Sequence, residues 1–527
     1  MKGTFRFLSV QFLRFRGSNL IVLTALLHST ACFQASGGGS SNQQTNRPLI
    51  LTHFMPWYQT PAVHGYWGWH WTMNHYNPDI MDQSGRKQIA SHYYPLTGPY
   101  DSKDPAILEY QTLLMKVSGI DGVLVDWYGM ENFYDYGVLN ESTQALFVAI
   151  QKAHLSFGIV YEDATIRAMV DAGHLSAGNA LNYGKTVMKY MQDNWFGSDT
   201  YVKLDNHPLL LTFGPQYFSQ SADWDTLFSG LVTTPVFVTL DNQLAPVASG
   251  AYPWPPMWLS DASGNLSQEA VDGYLAQFYL KAQSWPYLVT SAFPGFYDIY
   301  QQAGVQASFG YLDRRGGLTF RSTLQEAVVQ DPDIIQLVTW NDYGEGTVIE
   351  PTVEYNYQGL ETVQATRDSL DPSFQFLKED LALPLQVYDK RLRFAGNAGI
   401  KSVLDRVFAL IVSDQRADAV ALMDSLASTT SIDHTDTHLP GGWFLSQNFP
   451  NPFNPTTAVS YQLPAVSDVK LVVYDMLGRE VAVLVKERKP AGNYELSFDA
   501  SGLAGGVYFY RLTAAQFVQT RRMIVLK

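Results

Sequence analysis

The sequence predicts an α/β protein: a (β/α)8 TIM barrel, followed by a small helical segment and a C-terminal all-β sandwich. Three observations carry this. Between about Leu49 and Gly346, short and nearly continuous apolar runs alternate with helix-patterned stretches, the signature of a parallel sheet covered on both faces. Eight such units fit into roughly 300 residues, the size of a barrel. Beyond residue 443 the pattern changes to alternating strand runs punctuated by Gly and Asn turns. A chain of 527 residues is too long for one ordinary domain, and at 46% hydrophobic it can fill a large core. A doubly wound open sheet is the competing arrangement. No G-x-G-x-x-G follows the first strand, which weakens a dinucleotide site.

The N-terminus reads as a targeting segment over 1–36. Lys2, Arg6, Arg14 and Arg16 precede the apolar core "LIVLTALL" (Leu20 to Leu27), which is shorter than the roughly 20 residues a membrane span needs. Cys32, the sole cysteine, excludes an intramolecular disulfide. It stands where a bacterial lipoprotein is lipidated, although Ser29 departs from the usual Leu. A plain signal peptide is the other reading. The "ASGGGSSNQQTN" that follows has the composition of a flexible tether, closing a linker over 37–47.

The barrel is assigned to 48–385. Its strands are expected at "LILTHFMPWY" (49–58), "GIDGVLVDWYG" (119–129), "FGIVYEDA" (157–164), "PLLLTFG" (208–214), "PVFVTL" (235–240), "PPMWL" (255–259), "YLVTSAF" (287–293) and "IIQLVTW" (334–340). Asp104 looks like a helix N-cap with Pro105 at the first helical position, and Leu108, Leu114 and Val117 then share one face. Further helices are expected at Glu141–His154, Ser267–Gln283, Thr323–Gln330 and Asp368–Ala382. A helical appendix covers 386–427, a polar linker 428–442, and the sandwich 443–527.

Several predicted strands end in acids and aromatics: Trp57-Tyr58, Asp126-Trp127-Tyr128, Glu162-Asp163 and Asn341-Asp342. In a TIM barrel those ends meet on one face, where active sites lie. Aromatics make up 14% of the chain, with clusters such as "GYWGWHW" (Gly65 to Trp71). Flat amphipathic rings suit sugar faces, and they also fill cores. His53, Trp57, Tyr58, Trp67 and His70 are therefore candidate sugar contacts. The net charge of −14, with no basic run, argues against nucleic acid. No His/Cys cluster has metal-ligand spacing and no P-loop is present, so neither metal nor cofactor is expected. A monomer is expected.

The stretch "TWNDYGEGTVIEP" (Thr339 to Pro351) follows the last predicted strand and holds Asp342, Glu345 and Glu350. Cleaving a glycosidic bond needs one carboxylic acid to protonate the leaving oxygen, and usually a second carboxylate to activate a nucleophile. Asp342 and Glu345, three apart at a strand end, can reach one bond, and Gly344 and Gly346 permit the turn that aims them. Turn capping by Asp342 and a solvated Glu345 are the structural alternatives.

"TWNDYGEGTVIEP" resembles the catalytic signature of glycoside hydrolase families 71 and 99. Trp340 to Glu345 match the W-N-D-[YF]-G-E of family 71. Asn341, Glu345, Gly346, Thr347, Ile349, Glu350 and Pro351 match the N-E-W-x-E-G-T-x-I-E-P of family 99. Asp342 stands where family 99 has Glu, and Tyr343 where it has Trp. "HFMPWY", "GIDGVLVDWYG" and "VYED" also resemble this group, over roughly Leu49 to Leu360. The resemblance implies Glu345 as general acid and Asp342 as its partner. Asp342 would be a base acting on water with inversion, as in family 71, or would assist the sugar's own 2-hydroxyl with retention through an anhydro-sugar, as in family 99. The short Asp342 and the "WNDYGE" half favour the first. The resemblance also implies that Glu162 and Asp163 line the subsite where the bond breaks. Asp126 bonds sugar hydroxyls or makes a structural bond in the barrel mouth. Trp127, Tyr128, Trp340, Asn341 and Tyr343 complete the expected substrate contacts, and Glu350 braces the loop.

"NFPNPFNPTT", "YDMLGREV" and "GLAGGVYFYRL" resemble the type A sorting domain of the type IX secretion system. That implies export across a Gram-negative outer membrane, with the secretion machinery as partner. The expectation is a secreted hydrolase of α-linked polysaccharide, α-1,3-glucan or α-mannan. A surface glycan-binding protein that has lost catalysis, and a structural surface protein with no sugar site, are the rivals.

Overall fold

The computed structural model describes residues 47–430 apart from 83–84, and residues 444–526 apart from 447, 449–450, 452, 464, 491 and 516. The expected signal peptide with Cys32, the tether up to residue 46 and residues 431–442 of the expected linker lie outside the described residues. The chain divides into two compact units, Met1–Leu426 and Ala427–Lys527.

The first unit is built on eight parallel strands: β1 (Leu49–Phe54), β2 (Gly122–Trp127), β3 (Ser156–Tyr161), β4 (His207–Thr212), β5 (Val236–Leu240), β6 (Gly250–Tyr252), β7 (Val289–Ala292) and β8 (Ile334–Leu337). Ladder pairing runs β6-β5-β4-β3-β2-β1-β8-β7, so the first strand is flanked by the second and the last. Register fixes which residues face inward: Leu49 pairs with Ile334, His53 with Leu124 and Asp126 with Val160. The strands are buried along nearly their whole length, which is why they read as unbroken apolar runs.

One seam is not laddered. Among the described residues, no backbone pairing joins β6 to β7. The Gln268–Ala282 helix crosses between them, and its Tyr279 hydroxyl lies 3.4 Å from the Ser291 N–H of β7. The barrel is thus nearly closed. The sixth strand is also where sequence reading went astray. Pro253, Pro255 and Pro256 cannot donate to a ladder, so "PPMWL" becomes a 3₁₀ turn over Met257–Leu259, and the strand is the shorter "GAY" before it.

The helices follow the expected crossovers. Asp104 caps the Pro105–Ser118 helix by accepting from Ala106 N–H (2.8 Å), and Ser267 caps Gln268–Ala282. Three expectations shift. The helix expected at Glu141 starts five residues earlier, over Tyr136–Lys152. Leu318–Val329 likewise starts before Thr323. Asp368–Ala382 is not one helix: Gln358–Leu370 ends there, Asp371 is extended, and a 3₁₀ segment resumes at Lys378–Ala382. Leu383–Arg393, Ala398–Val412 and Arg416–Thr430 follow as separate helices.

The second unit is two antiparallel sheets. One orders Phe444–Leu445, Thr456–Leu463 and Gly492–Asp499. The other orders Glu480–Lys489, Ser467–Tyr474, Gly506–Ala514 and Phe517–Val525. Thr456–Leu463 alternates buried and half-exposed positions, and Val459, Leu471, Tyr510 and Met523 meet in a common core. The Tyr510 hydroxyl donates to Ser446 O (2.6 Å), pinning the entry segment.

Candidate active site

The chain past β8 is held by main-chain bonds and by side chains together. Trp340 N–H donates to His53 O of β1 (2.6 Å). Asn341 then clasps the same strand at Met55: its Oδ1 accepts the Met55 N–H (2.8 Å) and its Nδ2 donates to Met55 O (3.0 Å). Asp342 N–H donates to Thr339 Oγ1 (2.8 Å), Glu345 N–H donates to Asp342 Oδ1 (2.9 Å), and Gly346 N–H closes the turn onto Asp342 O (2.9 Å). This single turn brings the Asp342 and Glu345 side chains to one pocket. Gly346 is required by geometry. Its φ is +68°, and an added Cβ would lie 2.6 Å from Tyr297 O.

The pocket has a volume of about 160 Å³. Four carboxyl side chains line it from the ends of three strands: Asp126 of β2, Glu162 after β3, and Asp342 and Glu345 after β8. His53, Trp57, His70 and Tyr128 complete the part anticipated from sequence. Trp57 and His70 are stacked at 4.1 Å and 5°. Among the described residues, neither Lys nor Arg lines the pocket.

Burial governs the electrostatics. It pushes the Asp342 carboxyl up to about 7, although the N–H groups of Glu345 and Gly344 favour its ionised form. Glu345 is pushed well above the usual carboxylate range by burial, then by the charge of Asp342 and of Asp298. Glu162 is raised by burial and by Asp126, Asp163 and Glu345. Asp342, with two N–H donors, ionises first, and its charge then helps Glu345 keep a proton. Such a split suits one acid and one base. His53 and His70, both pushed down to about 3 by burial, are neutral rings.

Several expected contacts do not line the pocket. Asp163 is turned away and accepts the N–H groups of Gln216, Tyr217 and Phe218 (2.7, 2.7 and 2.8 Å), ordering the loop after β4. Trp127 alternates to the outer face of β2, where its Nε1–H donates to Asn140 Oδ1 and its ring stacks on Tyr190. Trp340 is fully buried in the barrel's outer core. Asn341 is occupied by its clasp. Tyr58 and Tyr343 form the layer behind: Tyr58 OH donates to Asn341 O (2.8 Å) and accepts the Tyr343 N–H (3.1 Å). Trp67 lies on the surface loop, its Nε1–H on Asp79 (2.8 Å) and Lys87 over its ring. Glu350 braces this layer, accepting from Tyr100 OH, Tyr343 OH and Gln111 Nε2 at 2.8–2.9 Å.

Sequence reading missed Trp69, Phe213, Trp254, Tyr300, Gln306 and Phe309, all of which line the pocket. Phe213 follows β4 directly and Trp254 stands two residues past β6, so the strand-end signal applied to them. Trp254 escaped because the sixth strand was expected at 255–259. Tyr300 and Phe309 sit in the loop after β7, which carries no motif.

Residues 46–371 match glycosyl hydrolase family 99. The chain belongs to that family. It is therefore a glycoside hydrolase, and the family 71 likeness stays confined to the Trp340–Glu345 motif. Residues 447–526 match the secretion system C-terminal sorting domain, which marks a protein secreted from, or held at the surface of, a Gram-negative bacterium. Among similar proteins is a glycoprotein endo-α-1,2-mannosidase-like protein of Danio rerio, 23% identical over 348 residues, covering 56% of this chain and 69% of the relative. Another is the glycoprotein endo-α-1,2-mannosidase of Mus musculus, 22% identical over 340 residues, covering 58% and 68%. Of solved structures, the family 99 endo-α-mannosidase of Bacteroides thetaiotaomicron is 19% identical, with a TM-score of 0.47, over 61% of this chain and 97% of that one.

Proposed function

We propose that this family 99 enzyme hydrolyses α-mannosidic bonds of a mannan or mannose-bearing glycan, with Glu345 as general acid and Asp342 as base. The observation carrying this is that one turn delivers both carboxyls to a buried pocket which separates their proton affinities. Membership of family 99 and the mannosidase relatives weigh for mannose over α-1,3-glucan. The family reading also weighs for retention. Asp342 takes the proton of the sugar's 2-hydroxyl as O2 closes on C1, and Glu345 gives its proton to the departing oxygen. Water then opens the anhydro-sugar at C1, Glu345 accepts the water's proton, and Asp342 returns its proton to O2. Both groups end as they began.

The test is a panel of α-mannan, mannose-capped α-glycan and α-1,3-glucan, read by new reducing ends. Release from the mannosides alone is expected, and release from the glucan alone would overturn the substrate reading. NMR of the first anomer released should show retention; inversion would move Asp342 onto water. Tight glycan binding with no cleavage would instead favour a glycan-binding protein.

A further inference from the structure

Among the described residues, three buried polar atoms on residues that line the pocket have no partner, Asp126 Oδ1, His53 Nε2 and Trp57 Nε1, and the turn chemistry just described uses none of them. Asp126 is 3% exposed and its Oδ1 accepts no hydrogen bond; His53 is 1% exposed and its Nε2 has no partner. Both residues line the pocket and sit on neighbouring strands, β2 and β1. Register places them on the same inward face: His53 pairs with Leu124, and Asp126 is one pleat further along β2. Nδ1 of His53 lies 2.9 Å from Gln336 Nε2. With the Gln336 amide donating there, the neutral ring carries its proton on Nε2 and offers it to the cavity. Trp254 packs edge-on against the His53 ring at 4.9 Å and limits its rotation.

A buried carboxyl oxygen and a buried ring nitrogen left bare each cost stability. Asp163, another buried acid near this mouth, shows the contrast: its oxygens take three N–H bonds and organise a loop. Asp126 Oδ1 takes no such bond among the described residues.

We propose that Asp126 Oδ1 and His53 Nε2 are a rigid acceptor–donor pair for two hydroxyls of one sugar ring, and so determine which sugar the pocket accepts. This rests on the glycosidase reading above and deepens it. The acceptor takes a hydroxyl proton while the donor gives one to a hydroxyl oxygen, a match that a ring lacking either hydroxyl leaves half unmet.

The experiment compares full-length wild type with Asp126→Leu and Asp126→Asn. It reads the melting temperature and the inhibition constants of mannose and its monodeoxy analogues. Asp126→Leu keeps the branched shape without the bare oxygen, so its melting temperature should rise by about 2 °C or more, while mannose affinity falls about 10- to 100-fold. One deoxy sugar should bind wild type with a comparable loss and lose nothing further in Asp126→Leu. A lowered melting temperature in both variants would assign Asp126 to the fold and overturn the proposal. So would an equal loss for mannose and every deoxy analogue. If wild type binds no mannose, the mannose reading fails, and the same comparison is made with whichever monosaccharide binds; binding of none overturns the pair as well.

Discussion

Asp342 and Glu345 are three residues apart, yet they meet different surroundings. Asp342 receives two main-chain N–H groups; Glu345 faces the charge of Asp342 and shares the pocket with Tyr300. Asp342→Asn and Glu345→Gln should each lower kcat by orders of magnitude with unchanged circular dichroism, and full turnover in either variant would remove it from the chemistry. The pH profile follows from the same burial. A base raised to about 7 is protonated and idle below that pH, so kcat/KM should rise with pH to a midpoint near 7, then fall at higher pH as Glu345 loses its proton. Sequence spacing singled out this pair because acids at a strand end are few. It could not separate Asp163 from Glu162, since which of two adjacent acids faces the mouth depends on the first helical turn after the strand.

The turn and the layer behind it set the tolerance of this element. Gly346→Ala must crowd Tyr297 O and hold a strained φ, so it should cost activity and stability together. Glu350→Ala would strip three donors, Tyr100, Tyr343 and Gln111, of their acceptor. A loss of about 3 kcal/mol or more is expected in denaturant unfolding. Burial also raises Glu350 to about 7, from near 4.5 when unfolded. Between about pH 4.5 and 7 the folded state therefore holds a proton that the unfolded chain has released. This group's contribution to stability falls as pH rises through that window. Strand ends were legible through apolar runs and terminal acids. The aromatic half of the pocket was not, because Tyr300, Gln306 and Phe309 are placed by a loop whose path no periodicity records.

At the scale of the molecule, catalysis and export reside in separate units. The unit ending at Leu426 holds every pocket residue, and the sorting domain lies wholly in the other. A chain ended after Leu426 should keep the wild-type rate on soluble glycan while staying inside the cell; loss of activity would show that the barrel depends on its partner unit. The change of period near residue 443 falls inside the second unit, whose first described strand is Phe444–Leu445. The barrel's count of eight was legible in the sequence, although proline disguised the sixth strand.

The seam between β6 and β7 gives the pocket unequal walls. Trp254 stands just past one edge of that seam, and Phe309 in the loop leaving the other. Opposite them, Asp126 and Glu162 rise from strands zipped to both neighbours. A bulky glycan branch pressing on the Trp254–Phe309 side meets strands that can part without breaking a ladder bond. The same branch turned toward Asp126 and Glu162 meets a wall that cannot give. The cleft should thus act as a one-sided gauge, lenient to decoration along one flank of a bound glycan and strict along the other.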